Sequence, residues 1–146
     1  MTPDGFPVVG IVGGGQLARM MIQAAIPLGI GVRVLAERAD DSAARVCPDV
    51  VIGSPDSIDD LVAFAAGCDA VTLDHELVNL EALQRIEAAG GVVRPGPFTL
   101  AFAKDKAHQR REFSAAGLPV PEFQEVATAA EIEAFAHRLG GWPVVV

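Results

Sequence analysis

The 146-residue sequence has few cysteines, a shortage of positive charge and no long apolar run, and each shortage removes a class of protein. Cys47 and Cys68 are its only cysteines and form no C-x-x-C pair, which argues against a disulfide framework. With no secretory leader before the first strand-like run, they are expected to be small core residues in a reducing, cytoplasmic compartment. Lys and Arg number 11 against 19 Asp and Glu, for a formal net charge of −8. That field repels a polyphosphate backbone, so nucleic acid is not expected as a partner. Asp, Glu, Arg or Gly interrupts every apolar stretch before the roughly 18 residues a membrane span needs, so no membrane partner is expected either. There is no internal repeat and no low-complexity segment.

What is present is ample material for a core. Hydrophobic residues make up 51% of the chain and charged residues 21%, which suits a well-buried globular domain of ordinary size. Phe6-Pro-Val-Val-Gly-Ile-Val12 is a nearly continuous apolar run ending in glycines, the pattern of a strand buried on both faces of a parallel sheet. The spacing predicts a helix from about Gln16 to Leu28, with apolar Leu17, Met20, Met21, Ala24 and Leu28 at helical intervals and Gly29 as its stop. Val32–Ala36 reads as a second strand. The alternation then repeats, with Val50–Ile52 as strand, Ser57 to Ala66 as helix, Ala70–Thr72 as strand, Leu80 to Ala89 as helix, and Val92-Val93 as strand. Short connections between alternating strands and helices require helical crossovers, so the expected fold is α/β with an open, doubly wound parallel sheet.

Pro95-Gly-Pro97 is the strongest punctuation in the chain and divides residues 1–97 from residues 98–146. Beyond it the pattern predicts a helix from about Phe98 into Ala116, a stop at Gly117-Leu-Pro119, and a strand near Glu122 to Val126. Thr128 and Glu131 form a capping box for a helix ending near Gly140. Trp142-Pro-Val-Val-Val146 reads as an apolar strand, and such a strand at the end of the sequence suggests a sheet that continues in further residues.

Several groups of residues carry chemistry. Gly13-Gly-Gly15-Gln-Leu-Ala18 fits G-x-G-x-x-G/A, follows a strand and opens a helix, the context a dinucleotide or phosphate site requires. Glycine lets the backbone approach an anion, and N–H groups at the helix start hold it, so a phosphate is expected around Gly15 to Leu17; the alternative is a tight turn without a ligand. Glu37 closes the second strand, where a nucleotide fold hydrogen-bonds a ribose hydroxyl; the alternative is a solvated acidic residue at a strand end. Thr72-Leu-Asp-His-Glu76 follows the fourth strand, and its carboxylates and imidazole suit a ribose or amine contact, or else form a solvated loop. His75-Glu-Leu-Val-Asn79 lacks the second histidine of H-E-x-x-H, so no metal site is expected there. Lys104, Lys106, Arg110 and Arg111 are the only basic cluster, on one predicted helix, either a solvated face or a phosphate-facing side.

Together these segments resemble the N5-carboxyaminoimidazole ribonucleotide synthetases, ATP-grasp enzymes of purine biosynthesis. The resemblance rests on Gly13-Gly-Gly-Gln-Leu-Ala-Arg-Met20, Cys68-Asp-Ala-Val-Thr-Leu-Asp-His-Glu76, Val93-Arg-Pro-Gly-Pro97, and Lys104-Asp-Lys106 through Gly117-Leu-Pro-Val-Pro121. Ala18 stands where the family usually has glycine, and Leu73 and Asp74 stand where many members have an aromatic residue and Glu in T-[YF]-E-x-E; Glu76 keeps the pattern. The resemblance implies a Rossmann-like pre-ATP-grasp substrate platform over residues 1–97. Residues 98–146 would then be a linker helix and the beginning of an incomplete ATP-grasp domain. It further implies that Gly15, Gln16, Leu17 and Glu76 contact the ribonucleotide and that Lys106 reaches the ATP phosphates. The implied reaction is ATP- and Mg²⁺-dependent transfer of bicarbonate onto the exocyclic amine of 5-aminoimidazole ribonucleotide, through carboxyphosphate. The strand lysine, glycine-rich lid and Mg²⁺ ligands of that fold are expected outside this chain, which by itself would be catalytically silent. The implied partners are small molecules, with a homodimer left open. An NAD(P)-dependent oxidoreductase domain, a non-enzymatic binding domain, and another ATP-grasp ligase such as a formate-dependent glycinamide ribonucleotide transformylase are the competing readings.

Overall fold

A computed structural model describes residues 5–146. Its contacts divide the chain into two compact units, one ending at Lys104 and the other spanning Asp105–Val146.

The first unit is built on parallel strands β1 (Val8–Val12), β2 (Gly31–Ala36), β3 (Val50–Ile52) and β4 (Ala70–Leu73), in the order β3-β2-β1-β4. The chain runs outward from β1 through β2 to β3, then returns to the other side of β1 to lay down β4. That reversal makes the gap between β1 and β4 the switch point, where an open α/β sheet leaves a crevice at its carboxyl edge.

Successive side chains of a strand point to opposite faces, and here both faces are buried. Val12 and Leu35 pack into a core with Leu61 and Phe64 of α2 (Ile58–Ala65), Ala82, Leu83 and Ile86 of α3 (Leu80–Ala88), and Leu100 of α4 (Pro97–Lys104). Their neighbours Ile11 and Val34 pack on the opposite face with Ala18 and Ile22 of α1 (Gln16–Ala25). The doubly wound α/β sheet expected from the alternation is therefore present. Short polar residues set the helix starts, since Ser57 accepts from the Asp60 N–H and Asn79 from the Ala82 N–H.

The structure corrects several local expectations. Helix α1 buries Ala18, Ile22 and Ala25, while Leu17 and Met20 lie more than half exposed, so the larger apolar stripe faces outward. Two of the three buried residues, Ala18 and Ala25, are small and allow the helix to approach the sheet closely around Ile22. Residues 26–28 form a 3₁₀ turn instead of continuing the helix, with Pro27 inside it and Gly29 left-handed at its end. Val92-Val93 contributes one bridge, Val71 to Val93, rather than a strand.

At the boundary between the units, the helix expected to run from Phe98 into Ala116 is broken. α4 ends at Lys104, and Asp105 caps a separate helix α5 (Lys106–Ala115) by accepting from the His108 N–H. Lys104 and Lys106 therefore belong to different helices, and the basic cluster is not one helical face. No strand forms over Glu122 to Val126 or Trp142–Val146, because neither segment finds a ladder partner among the described residues. The capping box at α6 (Ala129–Arg138) is complete: Thr128 accepts from the Glu131 N–H, and Glu131 accepts from the Thr128 N–H at 2.9 Å.

Candidate functional site

The glycine turn after β1 lies at the β1/β4 crevice. Gly13 has φ +114°, a conformation that disfavours any side chain, and its N–H donates to Leu35 O at 2.9 Å, carrying the β1–β2 ladder into the turn. At Gly14 a Cβ would lie 2.8 Å from the Cβ of Asp41 and 2.9 Å from that of Ala36. At Gly15 it would lie 2.9 Å from Asp74 Oδ2. The fingerprint's last position, Ala18, is fully buried against the sheet, where a methyl group fits.

Helix α1 starts from Gly15 with no side-chain cap and no acidic residue in its first turn. Its first intrahelical bond runs from the Arg19 N–H to Gly15 O, so the Gln16, Leu17 and Ala18 amides have no acceptor within the helix. Gln16 and Leu17 are exposed, so the helix opens toward the crevice with unspent donors and the positive end of its dipole. The Gly15 N–H is not one of these donors, because it bonds Asp74 Oδ2 at 3.0 Å.

Across the crevice stands the loop after β4. The Asp74 N–H continues the ladder to Val12 O at 3.0 Å, which sets its carboxylate beside the glycine turn. That side chain is only 4% exposed, and its Oδ1 has no hydrogen-bond partner. His75 accepts the Leu77 N–H on Nδ1 at 3.1 Å, which leaves Nε2 to carry the proton of a neutral ring, 3.6 Å from Asp74 Oδ1. Glu76 is exposed at the tip of this loop.

Two residues that hold this loop were not recognised in the sequence. Lys104, grouped there with the cations, donates from Nζ to Val78 O at 2.7 Å and so ties the end of α4 to the β4–α3 loop. Asn79 does more than cap α3, since its Nδ2 donates to Asp56 O at 3.1 Å and its backbone N–H to Pro55 O at 2.9 Å, joining the loops after β3 and β4. An Asn before a helix is legible as a cap, but its partners across the sheet edge are not. After β2, Glu37 is exposed, while its neighbour Arg38 pairs with Asp40 at 3.3 Å and Asp41 at 3.4 Å.

Within the second unit, Lys106 and Arg110 line a cavity of about 660 Å³ whose other walls include Phe123, Ile132 and Phe135. Arg111 pairs with Glu125 and is thereby partly neutralised. Among the described residues no group of three or more His, Cys, Asp or Glu could hold a metal ion, and no helix is long and apolar enough to cross a membrane.

Comparison with known proteins gives one consistent result. The N5-carboxyaminoimidazole ribonucleotide synthase of Mycobacterium leprae is 51% identical over 138 residues, covering 92% of this chain and 31% of that protein. The protein of the same name from Mycobacterium bovis is 48% identical, covering 96% and 32%. The chain thus spans about a third of the length of these curated relatives. Among solved structures, the carboxyaminoimidazole ribonucleotide synthase of Aspergillus clavatus complexed with ATP superposes with a TM-score of 0.83 at 30% identity, over 94% of this chain and 36% of that one. The family model for the ribonucleotide synthetase preATP-grasp domain matches residues 7–104, which end where the first compact unit ends. The glycine turn, the doubly wound sheet and this match agree, and the chain belongs to the ribonucleotide synthetase preATP-grasp domain family.

Proposed function

We propose that this chain is the substrate-platform part of a ligase that uses ATP and bicarbonate to carboxylate the exocyclic amine of 5-aminoimidazole ribonucleotide. The observation that carries the reading is the uncapped start of α1, set at the β1/β4 switch point and faced by the loop that bears Glu76. A structure of the Aspergillus clavatus synthase described as a complex with ADP and 5-aminoimidazole ribonucleotide superposes with a TM-score of 0.78, which supports the same substrate class here.

In this reading residues 1–97 are the platform, and residues 98–146 are the linker and the beginning of an ATP-grasp domain, with α4 the linker helix that stays packed on α3. Gly15 shapes the turn, and the Gln16 and Leu17 amides receive an anionic or hydroxyl oxygen of the ribonucleotide. The Glu76 carboxylate accepts from its ribose or amine. Lys106 and Arg110 suit the phosphates of ATP, because they stand at a cavity whose apolar walls can take a base. The residues described do not fit a Mg²⁺ site, and no step is assigned to the ion.

The test is Glu76→Gln in the enzyme with a complete ATP-grasp portion. Removing a charge-assisted hydrogen bond with little change in volume is expected to lower kcat/KM for the ribonucleotide by roughly ten- to a hundredfold, equivalent to about 1.5–3 kcal/mol. The KM for ATP should hardly change. An unchanged kcat/KM for the ribonucleotide, or an equal loss for ATP, would remove Glu76 from the substrate site.

A further inference from the structure

The glycine turn matches a dinucleotide fingerprint, yet a carboxylate of the chain itself occupies it. In a dinucleotide fold the second glycine of G-x-G lets the backbone approach the pyrophosphate. Here that glycine is Gly15, whose N–H is bonded to Asp74 Oδ2 and whose open face is covered by the same oxygen. The carboxylate also lies where a Cβ of Gly13 would be, so the glycines make room for Asp74 rather than for a ligand.

The second observation is the burial of this carboxylate at the turn. The Asp74 side chain is only 4% exposed; its Oδ2 takes the Gly15 N–H, while Oδ1 makes no hydrogen bond and lies 3.6 Å from His75 Nε2. The β1–β4 ladder, through the Asp74 N–H to Val12 O, fixes the backbone from which the carboxylate reaches the turn.

From this geometry we infer that Asp74 is a specificity-determining residue, a built-in anion that closes the glycine turn to pyrophosphate-bearing nucleotides. A diphosphate entering the turn meets a negative charge at hydrogen-bonding distance from the N–H it needs, and like charges so placed repel strongly in a partly desolvated site. An incoming oxygen is left the amides of Gln16 and Leu17, one position further along. The inference concerns what the turn rejects and stands apart from the carboxylation reading, which Glu76 tests by turnover.

The experiment is ¹⁵N-resolved NMR titration of the chain with ADP-ribose, a pyrophosphate-bearing nucleotide, read at the Gly13, Gly14 and Gly15 amides. The native chain is expected to show no saturable shift at these amides through the millimolar range. Asp74→Ala is expected to bind at least about tenfold more tightly, with the Gly15 amide among the most shifted. Asp74→Asn, which removes the charge and keeps the volume, should fall between them. If Asp74→Ala does not give a folded spectrum, Asp74→Asn carries the test, with a gain over the native chain expected. Saturable binding at Gly15 in the native chain, or a folded variant whose Gly15 amide responds no more than the native one, overturns the inference.

Discussion

Lys104→Met separates the two roles open to this residue, a phosphate-facing cation and a tether for the β4–α3 loop. Its Nζ lies 2.7 Å from Val78 O, the length of a charge-assisted bond, and Val78 itself is fully buried. Hydrogen bonds to charged groups contribute roughly 1.5–3 kcal/mol, and an orphaned buried carbonyl costs a similar amount. Lys104 is exposed as a residue, so water can reach its ammonium and the lower part of that range applies, about 1–2 kcal/mol. Methionine preserves most of the stem's packing, which confines the change to the head group. The loss of a cation from the last turn of α4 adds a few tenths of a kcal/mol but does not act on the loop. With a urea m-value of about 1–3 kcal/mol/M, the unfolding midpoint followed by far-UV circular dichroism should fall by roughly 0.5–1 M. Amide exchange at Leu77 and Val78 should accelerate more than exchange in the centre of α3. An unchanged midpoint together with unchanged exchange at those amides would refute the tether and return Lys104 to the surface cations.

Asn79→Ala removes the α3 cap and the bond from Nδ2 to Asp56 O together, so a loss of about 1–2 kcal/mol in urea unfolding is expected, with Asn79→Asp recovering the cap but not the second bond. At α6, the Glu131 carboxyl is held below its ordinary range by the N–H groups of Ala127 and then Thr128, each donating to it. A carboxyl with a lowered folded value stabilises fully above the unfolded value near pH 4.3 and progressively less as the pH falls through the lower folded one. Exchange of the Ala127 and Thr128 amides should therefore lose protection in that acid window, and Glu131→Gln should remove most of the dependence; a pH-independent protection profile would refute the box.

The strength of the sequence signal differed with the distance over which a residue acts. The Gly13–Gly15 turn, the strand and helix alternation, and the Thr128–Glu131 box are local, and each is legible because its partners lie within a few residues. The break at Asp105 was also local, as Asp105 accepts from the His108 N–H, but Lys104 and Lys106 on either side made the segment read as one basic helix. The inward face of α1 was misjudged for a different reason. Periodicity weighs the large apolar residues, whereas the face turned to the sheet carries Ile22 flanked by the small Ala18 and Ala25, which permit a close approach. The strands expected at Glu122 to Val126 and Trp142–Val146 have the composition of strands, but a strand exists only with a partner.

The site depends on contacts that no window along the chain contains. The β1–β4 register pairs Val12 with Leu73, and that single pairing places residue 74 beside the glycine turn and residue 76 at the tip of the facing loop. The family resemblance marks Asp74 as standing where many members have Glu, a side chain one methylene longer. In the structure the shorter side chain already reaches the Gly15 N–H at 3.0 Å while lying over Gly13. A glutamate started from the same backbone position would carry its carboxylate beyond this contact unless its chain folded back, so the choice of Asp bears directly on how the turn is filled. The residue whose role was hardest to read from sequence is thus the one that the sheet register makes most specific. The glycine fingerprint, read alone, pointed toward a dinucleotide that the same glycines, by admitting Asp74, are arranged to refuse.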